Sequence, residues 1–129
     1  MLAAVHLLPG TPPRARVRTA WGRAVVRWCG PPDAADGPYH VEWTVDDDVV
    51  WGRNTHPAAV PAPGLWTEGG RVVLRGRLHA DRDGGAAWLA WGPSVVLLDV
   101  TGPLPETADG AWAELRCPAV RVSLYPYAL

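Results

Sequence analysis

The chain contains no lysine, isoleucine, phenylalanine or glutamine, while alanine, valine, arginine, glycine and proline abound. A very GC-rich coding sequence produces this bias. Because arginine is the only permanently charged side-chain cation, its use in place of lysine carries no message about bidentate recognition. Because phenylalanine is absent, the eight tryptophans must supply much of the large core volume. Long apolar runs are missing too. Nothing approaches the ~18 residues that suggest a membrane helix, and the apolar opening of residues 1–8 lacks the positive n-region and small-residue cleavage site of a secretory leader. The expectation is a soluble, cytoplasmic protein with no membrane partner.

Several kinds of chemistry lack their residues. Cys29 and Cys117 match no zinc or redox spacing and read as buried free thiols, with a single disulfide as the alternative. Ser94 and Ser123 are the only serines, and neither sits in a Gly-x-Ser-x-Gly elbow. Phosphate-binding glycine loops are absent. Asp46 to Asp48 and residues 81–84 lack the interleaved ligands of a calcium loop and read as turns. His40 with Glu42, and His79 with Asp81, each place an imidazole and a carboxylate on one face of a strand, as a ligand pair or an oriented base would be. No third ligand accompanies either. No metal, cofactor or catalytic set is assigned.

A length of 129 residues, 48% hydrophobic and 19% charged, fits one globular domain with its own core. The net charge of −1 excludes a strongly basic nucleic-acid binder, but the distribution is uneven. Residues 1–30 hold Arg14, Arg16, Arg18, Arg23 and Arg27 without an acid. Residues 31–52 hold Asp33, Asp36, Glu42, Asp46, Asp47 and Asp48 without a base. Such asymmetry marks a basic binding surface, unless a basic strand lies beside an acidic one and is neutralised there. Internal pairing is the simpler expectation.

Gly and Pro, 14 of each, interrupt helical periodicity nearly everywhere, whereas period-two alternation recurs. Residues 14–20 and 22–28 read as a basic hairpin turning at Trp21-Gly22. Residues 30–38 are loop, and 39–45 are a strand with Val41, Trp43 and Val45 on one face. Residues 52–69 offer no regular element. Residues 70–79, 86–91 and 94–100 read as a three-stranded meander, with Val95 to Leu98 buried on both faces. One helical turn fits 105–109. Strands follow at 111–116 and 119–125, with Val120, Val122 and Leu124 inward.

The fold class is therefore all-β with little or no helix, a compact antiparallel small barrel or, alternatively, a β-sandwich. A meander, a connection and a final hairpin over residues 39–127 resemble the topology of the oligonucleotide/oligosaccharide-binding (OB) barrel. Residues 1–30 would then be a basic arm and hairpin attached to it within a single domain.

Arg14, Arg16 and Arg18, and likewise Arg75 and Arg77, would project from single strand faces about 6.6 Å apart, a repeat similar to that of phosphates on an extended strand. Trp66, in a Pro/Gly-rich stretch with only Leu65 as an apolar neighbour, is the tryptophan most suited to stack on a ligand. The leading reading is a non-enzymatic binding module taking single-stranded nucleic acid weakly through these residues. The alternatives are a protein-interaction or self-associating module, in which the basic hairpin of one copy meets the acidic hairpin of another, and a small-molecule enzyme with a Trp-lined barrel pocket.

Overall fold

The computed structural model describes residues 1–81 and 85–127. The turn expected at 81–85 lies largely outside the described residues. Twelve strands form, β1 (Leu2–Leu8), β2 (Arg14–Thr19), β3 (Gly22–Trp28), β4 (Gly37–Val45), β5 (Asp48–Val49), β6 (Thr55–Pro57), β7 (Gly64–Glu68), β8 (Arg71–Ala80), β9 (Ala87–Trp91), β10 (Ser94–Val100), β11 (Trp112–Pro118) and β12 (Val122–Tyr127). Short 3-10 turns at Glu106–Ala108 and Ala119–Arg121 are the only helical pieces among the described residues.

The expected all-β barrel is what the chain forms, but its closed ring lies elsewhere along the sequence. Five strands close in the order β12-β4-β1-β2-β3, with β12 pairing β3 in parallel. The ring thus draws on residues 1–45 and 122–127, not on 39–127. The N-terminal hairpin is barrel wall because β12 fits between β4 and β3, antiparallel to the first and parallel to the second. The barrel is consequently mixed.

Its interior is filled by alternate residues of each strand. Small side chains, Ala3, Ala15 and Ala24, share the space with Trp28 and Trp43, and all five are buried. Each buried indole N–H has an acceptor: Trp28 donates to the Pro31 carbonyl at 2.9 Å and Trp43 to the Met1 sulfur at 3.2 Å. Trp43, the inward residue expected on β4, meets Trp91 of β9 edge-to-face at 5.0 Å. This contact helps join the barrel interior to the core of the remaining strands in one hydrophobic cluster.

The remaining strands surround β8, which pairs with β7 and β9 as well as β11. β7 joins the ring through Gly22, opposite Leu65. Gly22 has φ +140°, and a Cβ on it would sit 1.9 Å from the Leu65 carbonyl oxygen. Only glycine permits this approach.

Three local expectations need correction. Residues 52–69 contain β6 and β7, short strands whose ladders come from β11 and β8 and not from their own propensity. The run at 95–98 alternates: Val96 and Leu98 are buried, whereas Val95 is 58% and Leu97 75% exposed, because only one face of β10 packs on the core. Val120 is exposed, since it lies in the 3-10 turn at Ala119–Arg121 and the strand starts only at Val122.

Candidate nucleic-acid interface

β2 and β3 alternate strictly enough that Ala15, Val17, Ala24 and Val26 enter the barrel while Arg14, Arg16, Arg18, Arg23 and Arg27 point to solvent. The register sets Arg18 opposite Arg23 and Arg14 opposite Arg27. Like charges directly across a ladder repel, so a neutralising neighbour would be expected. There is none among the described residues: no ion pair involves any of these five arginines. The sheet order gives the reason. β1, with His6 its only ionisable side chain, lies between β2 and β4, and β12 lies between β3 and β4; Glu42 is the one acid of β4, and the other acids of residues 31–52 stand outside that strand. Internal pairing of the basic and acidic segments is therefore not how the chain resolves its charge asymmetry.

Trp66 is not in a loop. It stands on β7, the strand next to β3, and is half-buried. A groove of about 340 Å³ runs between the strands, lined by Arg16, Arg23, Ala24, Val25, Trp66 and Thr67. The indole N–H donates to the Glu68 carboxylate at 3.2 Å, and the Arg75 guanidinium lies 5.2 Å from the ring centroid, within cation–π range.

The candidate arginines thus divide. Arg14, Arg16 and Arg18 share the open outer face of the barrel with Arg23 and Arg27, and Arg16 and Arg23 reach the groove that Trp66 lines. Arg75 is half-buried: its Nε donates to the Ala62 carbonyl at 2.8 Å, and it pairs with Glu114 at 3.4 Å. Glu114 also binds Arg116, which reaches Glu68 at 3.7 Å. Arg77 is exposed, with its Nε donating to the Gly110 carbonyl at 2.8 Å. Arg75 and Arg77 are therefore engaged in holding loops and strands, while the hairpin arginines are not.

His6, on β1, extends the basic face, since it sits opposite Arg16. Its Nδ1 meets the Asp36 carboxylate at 2.5 Å, and the other Asp36 oxygen accepts the Leu7 backbone N–H at 2.9 Å. That backbone N–H, followed by the His6 hydrogen bond, holds the Asp36 carboxyl below the usual carboxylate range.

No protein-family model, curated protein or solved structure matches the chain.

Other candidates lie elsewhere. His40 and Glu42 are on the outside of β4, His40 beside the Tyr127 ring at 5.9 Å. The tryptophan-rich barrel interior is occupied by its own side chains. His79 stacks on Trp88 at 5.5 Å and approaches Asp109 at 3.9 Å. A larger cavity, about 420 Å³, includes Asp81, Glu106 and Asp109 in its lining. Among the described residues no group of three His, Cys, Asp or Glu side chains is placed to hold a metal ion. Both cysteines are free, and burial pushes the Cys117 thiol up to about 12. No helix among the described residues is long and apolar enough to cross a membrane.

Arg23, Arg27 and His6 were absent from the sequence-level site. The signal for the two arginines was present: they alternate on the partner strand of the same hairpin as Arg14 to Arg18. His6 required knowing that β1 pairs with β2.

Proposed function

We propose that the outer face of the β2–β3 hairpin binds single-stranded nucleic acid, with phosphates along the arginine rows and a base against Trp66. The carrying observation is that none of the five hairpin arginines forms an ion pair among the described residues, beside a groove that contains an aromatic ring. Two directly opposed arginine pairs hold like charges together at a cost, and a polyanion relieves that cost. Bases stack on aromatic rings without regard to sequence, which suits the one tryptophan that lines this groove. The net charge of −1 fits modest affinity, confined to one face. Titration with a single-stranded oligonucleotide, read by tryptophan fluorescence at two salt concentrations, tests this function. Quenching that weakens with salt and is reduced in Trp66→Ala supports it; absence of binding at low salt removes it.

Self-association is a second reading, favoured by one observation. Asp48 and Asp99 lie side by side where β5 pairs β10, both exposed, close in the chain to exposed Val95 and Leu97. Such an acidic and apolar surface complements the arginine face of another copy. Sedimentation at rising protein concentration tests it: a mass increase that salt reverses supports the contact, and a constant monomer mass excludes it.

A further inference from the structure

Beside the arginine rows, the outer face sinks into a hollow of about 210 Å³ bordered by His6, Arg16, Arg18 and Arg23, where Ala4 and Gly37 contribute little or no side chain. The depression has a simple cause. Ala4 is the outward residue of β1 opposite Arg18, so a single methyl group stands where neighbouring positions carry long cations. At about 30 Å³ per water, the hollow has room for one phosphate group with part of its hydration.

We propose that this hollow takes a terminal phosphate monoester of the bound strand, an assignment that rests on the nucleic-acid reading of the same face. Along the open arginine rows, charges lie on a surface and suit the single charge of each internal phosphodiester. At the hollow, the side chains of Arg16, Arg18, Arg23 and His6 line one space. That concentration of donors matches the greater charge and the three terminal oxygens of a monoester, and guanidiniums bind such oxygens through parallel hydrogen bonds.

His6 is held for the purpose. Nδ1 is hydrogen-bonded to Asp36, which is itself anchored by the Leu7 N–H. Nε2 makes no hydrogen bond among the described residues. With both nitrogens protonated, the ring donates from Nδ1 to Asp36 and from Nε2 to a phosphate oxygen. The Asp36 carboxylate is thereby occupied at one end of the ring, while the other end serves the anion.

A terminal monoester can come from the 5′ or the 3′ end of a strand, and the test separates them. Three oligonucleotides of one sequence, carrying a 5′-phosphate, a 3′-phosphate or neither, are titrated by tryptophan fluorescence at fixed salt. One phosphorylated strand is expected to bind about tenfold tighter than the unphosphorylated strand, the scale of one added charge-assisted hydrogen bond. Ala4→Leu, an exposed strand substitution that fills the hollow without removing a charge, is expected to abolish that preference and leave the unphosphorylated strand's affinity unchanged. His6→Ala, which removes a donor and adds no bulk, is expected to reduce the preference. Near-UV circular dichroism checks that both variants keep the native core. Equal affinity for all three strands overturns the hollow's assignment while leaving the arginine face in place. A preference that survives in Ala4→Leu overturns it as well. Failure of every strand to bind, at low salt too, overturns the nucleic-acid reading and this assignment together.

Discussion

Arg18 stands directly opposite Arg23 on the outside of the β2–β3 hairpin, with no carboxylate of the described residues paired to either. Replacing Arg18 with glutamate converts repulsion into an opposite-charge cross-strand pair, worth about 0.5 kcal/mol. Arg18→Glu is therefore expected to raise Tm by about 2 °C while weakening oligonucleotide binding. Differential scanning calorimetry and the fluorescence titration read the two effects. A gain in stability coupled to a loss of binding identifies a surface kept charged for a ligand; a loss in both contradicts the repulsion.

Arg75 and Arg16 should separate in the opposite sense. Arg75→Ala leaves the half-buried Glu114 with one partner fewer and removes the Ala62 contact, at a cost of about 1–3 kcal/mol by urea unfolding. Arg16→Ala, on the open face, should change stability by less than about 0.5 kcal/mol yet lower affinity for a single strand.

Gly22 is where the barrel ring meets β7. Gly22→Ala places a methyl group against the Leu65 carbonyl in a backbone conformation that suits glycine, so β7 must move away from β3. A loss of about 2–4 kcal/mol is expected. Because β7 carries Trp66, the variant should also shift the tryptophan emission on ligand binding.

Cys117 provides a pH test. Burial raises its thiol from 9.0 to about 12, with the Asp47 charge adding to the effect. Over that window the unfolded chain has released the proton and the folded chain has retained it. The unfolded state then binds fewer protons, so stability falls as pH rises from 9 toward 12. Urea unfolding across this range should show a steeper decline for the native sequence than for Cys117→Ala. In the folded protein near neutral pH, Cys117 should resist thiol reagents that reach it after denaturation.

The alternation of apolar and polar residues made most strands legible, because one face of each packs inward. β2, β3, β4 and β8 follow it within a residue or two. β6 was illegible since its ladder is supplied by β11, far along the chain, whereas β7 pairs with the adjacent β8 across Gly69 and Gly70 and was hidden by the Pro/Gly-rich stretch before it, which also moved Trp66 from a loop to a sheet position. Val95 and Leu97 misled because an apolar run reads as doubly buried, whereas β10 has one open face. Ring closure by β12 against β3 is a long-range parallel pairing that no local pattern encodes. For the site, the arginine rows were visible in the spacing. What was not visible was the placement of β1 beside β2 and of β12 beside β3, which keeps both hairpin strands from pairing with β4; none of Arg14, Arg16, Arg18, Arg23 and Arg27 forms an ion pair among the described residues, while Glu114 engages Arg75.

The central claim is that the hairpin arginines contact phosphates, and the salt dependence of binding tests it most directly. Single-strand affinity should fall linearly on a log–log plot with salt, at a slope near −0.7 per phosphate contacted. Removing two contacts in Arg16→Ala/Arg23→Ala should reduce the slope by about 1.4, while an Arg75→Ala variant that remains folded should keep the native slope. A slope unchanged in the hairpin variant but reduced in Arg75→Ala would contradict the account and move the interface to β8.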